Sequence, residues 1–349
     1  MKRRASTKEK VNARPYTFSS LAPAKPTQVF DTYWRFAAKR QEIFFARVNE
    51  CKPPWTTDPI LTRFRFTNAY RASDRVSQYL IRNVIYQGDQ SPEEIFFRIL
   101  LFKFFNRIET YETLQNELGE IRYDNFSVKS LAAILDRRFK AGNKIFSPAY
   151  IMPSGRGLFG YARKHRTFLK LLELMMRDGV PDRVVNTRSL REVFEILRSY
   201  PLMGDFLAYQ FTIDLNYSTL VNFSEMEFVM PGPGARDGIH KCFEDLGGLS
   251  EADIIKVVVD RQEKEFKRLG LDFKRLGSRR LQLIDCQNLF CEVDKYARVA
   301  HPRAAGLSGR TRIKQLYQPN PSQIDYWYPP KWEINPIQLK KSNQNGTFI

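Results

Sequence analysis

Acids are scarce in this chain, with 38 Asp and Glu against 56 Lys and Arg, so a local concentration of them is a signal. Asp205, Asp214, Glu225 and Glu227 fall within 23 positions around a glycine turn. Paired carboxylates at such a turn suit general acid–base work, and solvation of helix surfaces is the plain alternative for some of them. A second group lies in IDCQNLFCEVDKY, residues 284–296. There Asp285 follows an apolar run and is placed to cap the next helix with one oxygen left free. A helix start would keep that carboxylate ionised, which fits stabilisation of a positively charged, sugar-like transition state. Gln287 and Asn288 suit hydrogen bonding to a base edge, and Lys295 stands three residues from Glu292. A third group, FRFTNAYRASDRVSQYL, gathers Asn68, Arg71, Asp74 and Gln78. An arginine held by an aspartate is a phosphate clamp; a structural ion pair with a cap at Ser73 is the plainer reading.

The glycines offer a different chemistry. PGPGARDG turns sharply into a helix and would present bare N–H groups to a phosphate, with Gly232 and Gly234 at the turn and Arg236 and Lys241 adding charge. An ordinary turn between two elements is the alternative. No GxxxxGK[ST] word occurs, which argues against P-loop phosphoryl transfer. Cys51, Cys242, Cys286 and Cys291, with only three histidines, match no zinc or cluster spacing, so neither a metal nor a cofactor is expected.

Around these residues the pattern is helical. Helices are expected in the 33–48 region, over DRVSQYLIRNVIY, and in EEIFFRILLFKFFNRI, where Ser91, Pro92 and Glu94 give a start signal and Arg98, Lys103 and Arg107 would reach a charged surface. Further helices are expected at 164–177 and 189–199, after the turn at Gly204, after the PGPG turn, and after Ser250, with Asp253 completing a capping box. Residues 1–30 read as a flexible basic arm, 31–316 as a helical domain of two lobes dividing near 150, and 317–349 as a Pro/Asn-rich tail, a strap or disordered. The net charge of +18 points to a polyanion, above all nucleic acid. No apolar run of membrane-spanning length exists, and a bacterial or phage-infected cytoplasm is the expected location.

Four words, TNAYRASDRVSQYLIRNVIY, GDFLAYQFTIDLNYS, FVMPGPGARDGIHKCF and LIDCQNLFCEVDKYARVAHP, together resemble the α-glutamyl/putrescinyl thymine pyrophosphorylase family, in particular its second clade. That clade is similar to the helical domain attached to some phage 5-hydroxymethyluridine DNA kinases. The resemblance implies a mostly α, DNA-glycosylase-like (helix–hairpin–helix) fold and action on a C5-modified pyrimidine in double-stranded DNA. It allows two registers. In one, 201–204 is the hairpin and Glu225 or Glu227 the acid; in the other, 231–234 is the hairpin and Asp285 the acid. Neither hairpin has a lysine at the Schiff-base position. Excision of a flipped base such as 5-hydroxymethyluracil is the leading expectation, with Gln78, Gln210, Gln287 or Asn288 reading the base edge and Tyr70, Tyr79 or Phe228 available for stacking. A transferase that displaces pyrophosphate from a modified methyl group with an amine is the alternative, with Arg71 and Lys295 on the leaving group. A module that recognises modified DNA without catalysis is the third. In either enzyme Asn68, Asp74 and Asp214 would belong to the substrate site.

Overall fold

The computed structural model describes residues 20–148, 152–319 and 325–335. Most of the arm expected at 1–30 and much of the tail expected at 317–349 therefore lie outside the described residues. Thirteen α-helices are found among the described residues: α1 (Gln28–Val48), α2 (Pro59–Arg63), α3 (Arg75–Tyr79), α4 (Pro92–Phe105), α5 (Ile108–Leu118), α6 (Val128–Lys140), α7 (Lys164–Arg177), α8 (Val180–Val185), α9 (Leu190–Arg198), α10 (Asp205–Asn216), α11 (Pro233–Cys242), α12 (Glu251–Arg268) and α13 (Leu283–Ala300). The fold is mostly α, as expected. Two short antiparallel strands, β1 (Lys25–Pro26) and β2 (Phe243–Asp245), tie the start of α1 to the end of α11.

The caps show why helices begin where they do. The Thr27 side chain accepts from Val29 N–H at the head of α1, and Ser250 with Asp253 forms a capping box on α12. At α4 the expected box does not form. Ser91 makes no side-chain cap; Asp89 accepts the Ser91 N–H at 2.7 Å instead. Glu94 turns inward and takes the Tyr123 N–H on both oxygens. The reason is burial: α4 is apolar on every face and packs in the middle of the bundle, so its charged side chains must find partners inside. Arg98 accordingly donates to the carbonyls of Val84 (3.1 Å) and Asp89 (2.7 Å), and Lys103 is buried rather than surface-seeking. The carbonyl of Val84 belongs to a π-helical turn, Leu80–Ile85, into which α3 runs; this wide turn replaces the later part of the regular helix expected there.

The closest pair is α11 against α13. Gly238 makes it possible: a Cβ there would overlap the Phe290 carbonyl. A β-carbon at Gly232 would stand 2.6 Å from the Phe206 ring, and one at Gly234 would overlap the Cys291 sulfur. These glycines thus let helices approach closely. That approach brings the first turn of α13 beside α10 and the Arg71–Ser73 turn.

Candidate functional site: a buried ion-pair cluster under a C-terminal strap

Asp214, on α10, is fully buried between two cations, Arg71 Nη1 at 2.8 Å and Lys103 Nζ at 3.1 Å. Burial works to raise its pKa, but the two cations prevail and hold it below the ordinary value. Arg71 comes from a 3-10 turn, Arg71–Ser73, not from a helical face shared with Asp74. Its guanidinium also donates to Gln210 Oε1 (3.1 Å) and the Tyr217 hydroxyl (3.2 Å), and Gln210 donates onward to Gln287 Oε1 (3.2 Å). A polar chain therefore runs through the interior from α4 to α13.

Asp285 closes this chain. It is the third residue of α13; its Oδ2 accepts the Gln282 N–H (2.9 Å) and its Oδ1 the backbone N–H of Arg71 (2.8 Å). Both oxygens are engaged, whereas the sequence suggested that one would stay free. The helix terminus does not dominate its titration either. Burial lifts the carboxyl to about 6 with Glu225 adding to the rise, while Arg279 and the two N–H donors restrain it. Glu225, from the loop after α10, is 2.7 Å from Arg279 Nη2 and is likewise buried. Burial opposes the Arg279 charge, yet Glu225 and Asp285 keep its pKa above the ordinary value. Of the acids of the two hairpin registers, Glu225 thus pairs with Arg279, and Asp285 feels the same arginine through its charge.

Over Arg279 lies residues 325–335. The Trp332 ring centroid is 3.7 Å from the guanidinium carbon, with Tyr217 edge-on to the indole at 5.4 Å. Beside it, Lys331 Nζ donates to the carbonyls of Asn216 (2.5 Å), Ser218 (2.9 Å) and Val221 (2.8 Å). Burial lowers the Lys331 pKa to about 8.

The remaining sequence candidates have the following places. Asn68, Asp74 and Gln78 brace the 64–79 segment: Asp74 accepts the Asn68 N–H (2.8 Å), Asn68 donates to the Ser73 carbonyl (2.8 Å) and Gln78 to the Ala72 carbonyl (2.7 Å). Burial lifts Asp74 to about 7. Asn288 is half-buried one turn beyond Asp285. Lys295 pairs with Glu292 at 2.6 Å, and Glu292 also accepts the Thr67 N–H. Glu227 stands apart from the cluster and accepts the Leu190 and Arg191 N–H groups at the head of α9. Arg236 is exposed and pairs with Glu251 at 3.0 Å, while Lys241 is buried against Asp294 at 2.8 Å. Phe228 packs between Phe194 and Tyr209, Tyr79 stacks on Phe102, and Tyr70 is buried with its hydroxyl on the Arg279 carbonyl.

The chain matches the family model described as 5-hmdU DNA kinase, helical domain, over residues 27–306. It belongs to that family. One curated relative is a 5-hmdU DNA kinase of Bacillus phage SP10, 28% identical over 292 residues that make up 78% of this chain and 46% of the relative. The chain thus spans about half the length of that relative. No solved structure matches. Every member of the cluster up to Arg279 and Asp285 lies within the 5-hmdU DNA kinase helical-domain match; Lys331 and Trp332 lie beyond its end.

Sequence reasoning missed five members in these roles. Arg279 was one of eight basic residues in 261–280. Lys103 did carry a signal, because a lysine within FFRILLFKFF has no exposed face to occupy. Lys331 and Trp332 belong to YWYPPKW, a word too aromatic for a solvated tail. Tyr217 carried none.

Proposed function

We propose that this chain binds double-stranded DNA and excises a C5-modified pyrimidine, such as 5-hydroxymethyluracil, by cleaving its N-glycosidic bond. The observation that carries this reading is Asp285: a buried carboxylate at a helix start, held by two backbone N–H groups, with Arg279 and Glu225 as its charged neighbours. With a pKa of about 6 it is ionised at neutral pH, as a group facing an oxocarbenium-like sugar has to be. The C1′–N1 bond breaks, a water adds its hydroxyl to C1′, and its proton leaves with the base. Glu225 is the acid that would orient the water. Gln210 and Gln287, already oriented by Arg71, would read the base edge. The phosphates would be held by exposed basic side chains. Arg63, the last residue of α2, and Arg65 just beyond it are exposed, as are Arg310, Arg312 and Lys314 on a stretch whose Leu316 bridges antiparallel to Phe64. The pairing consists of Arg65 N–H to the Gln315 carbonyl and Tyr317 N–H to the Arg63 carbonyl, both 3.0 Å.

One observation favours a second reading. The cluster holds four cations, Arg71, Lys103, Arg279 and Lys331, against three acids, Asp214, Glu225 and Asp285. A positive excess suits a pyrophosphate leaving group, hence transfer of an amine to a pyrophosphorylated methyl carbon. Duplex DNA with one 5-hydroxymethyluracil separates these. Free base by mass spectrometry and alkali-labile breaks support excision. Pyrophosphate released from a pyrophosphorylated duplex with the strand intact supports transfer, and binding with neither supports a recognition module. Asp285→Asn and Glu225→Gln should each abolish excision, and Glu227→Gln should leave it unchanged. Excision that survives Asp285→Asn removes Asp285 from the chemistry.

A further inference from the structure

The segment over the acids is not part of the family match. The match ends at residue 306, and residues 325–335 come back across the cluster that the matched residues build. Its polar anchors are few and local: Trp327 N–H to Gln78 Oε1 (2.8 Å), the Tyr328 hydroxyl with Ser73 Oγ (2.9 Å), and Asp325 with Arg82 (2.5 Å). Tyr328 and Ile334 are buried, whereas Lys331 and Trp332 are only partly so. The contacts that these two make look like those of a ligand. A flat π face lies on a guanidinium that is itself paired to a site acid, and an ammonium sits among three carbonyls at and beyond the end of α10. A pyrimidine offers a guanidinium the same kind of face as an indole does.

We propose that residues 325–335 are a built-in occupant of the substrate site: Trp332 holds the place of the extruded base on Arg279, Arg279 is the stacking platform for that base, and the segment withdraws when the base enters. This rests on the base-extrusion reading above. An internal occupant lowers apparent affinity by the fraction of molecules in which it is displaced, so weakening it tightens binding of the competing ligand alone.

The test uses full-length protein and two duplexes, one with 5-hydroxymethyluracil and one with thymine at the same position. Trp332→Ala should bind the modified duplex roughly ten-fold tighter, on the scale of a desolvated cation–π contact. The thymine duplex, held mainly through phosphates, should be bound as by wild type. Trp332→Phe should fall between, and amide hydrogen exchange across 325–335 in wild type should speed up with the modified duplex only. If wild type prefers the modified duplex but Trp332→Ala leaves that preference unchanged or weakens it, the segment is structural and the inference is overturned. If wild type shows no preference, base recognition itself fails and takes the inference with it. Should Trp332→Ala not fold, the exchange measurement on wild type and the Trp332→Phe affinity decide the same question.

Discussion

Asp214→Asn keeps the size of the side chain and removes the charge between Arg71 and Lys103. At the separations of 2.8 and 3.1 Å, and an effective dielectric of about 20, the two attractions are about 6 and 5 kcal/mol gross. Much of that only repays the desolvation of three side chains that are all under 5% exposed. What the substitution costs is the burial of two cations with no anion between them, about 3–5 kcal/mol. For a chain of this size that is a fall of roughly 4–7 °C in Tm. Urea titration followed by circular dichroism measures it. Asp214→Asn combined with Lys103→Met removes one of the stranded charges and should recover roughly half of the loss, because Gln210 and Tyr217 still bond the Arg71 guanidinium. A loss under about 1 kcal/mol, or a double variant no more stable than the single one, would refute the account of this cluster as a mutually compensated buried triad.

Four further outcomes are expected. Excision should rise with pH through about 6 as Asp285 ionises, and a flat profile from pH 5 to 8 would exclude that carboxylate. Because its folded pKa lies above the ordinary 3.8, the native state binds a proton that the unfolded state has lost between about pH 4 and 6. Stability should therefore fall by about 3 kcal/mol across that window as pH rises, with Asp74 acting in the same direction. Gly238→Ala should cost about 3 kcal/mol in urea unfolding, since backbone on the facing helix cannot yield; a change under about 1 kcal/mol would mean that α11 and α13 are not locked there. Replacing Arg310, Arg312 and Lys314 together by Glu should weaken both modified and unmodified DNA and lower the salt dependence of log K by about three, read by anisotropy titrations at several salt concentrations. An unchanged slope would place the phosphates elsewhere.

What the sequence disclosed was what depends on neighbours along the chain. The helix over 164–177 and the capping box at Ser250 are written in local periodicity and in residues three apart, and both are present. Arg71, Gln210, Asp214, Glu225, Asp285 and Gln287 were all singled out, as scarce acids near a turn or a helix start or as side chains suited to a phosphate or a base edge. Their partners were not readable. The bonds from Arg71 reach 143 residues to Asp214 and 214 residues to Asp285, and no spacing rule spans such a distance. The PGPG turn shows a different limit. Glycine is needed equally where backbone meets a ligand and where helix meets helix, and only the neighbours, here Phe206, Cys291 and Phe290, tell the two apart. At α4 the local start signal was present, but burial gave Glu94 a better partner in Tyr123.

The distribution of charge in the cluster bears on whether its covering segment can leave. Asp214 is neutralised by Arg71 and Lys103, and Glu225 by Arg279, all of them within the family-matched chain. Lys331 is the cation in excess, and its partners are carbonyls rather than a carboxylate. Withdrawing residues 325–335 therefore strands no buried acid. Three acids then face three cations, and the Lys331 ammonium regains the hydration whose loss had lowered its pKa to about 8. Had Lys331 been the counter-ion of Glu225 or Asp285, opening would have left a buried carboxylate uncompensated, a cost of several kcal/mol that a binding base could not readily offset. As built, opening loses the indole–guanidinium contact, the Trp327–Gln78 and buried Tyr328–Ser73 hydrogen bonds and the burial of Tyr326, Tyr328 and Ile334, part of it offset by hydration of the freed ammonium. The cover's charge is felt by Glu225 and Arg279, but each framework acid keeps its own partners when the cover leaves. That is what a site closed at rest requires if its acids are to stay poised when it opens.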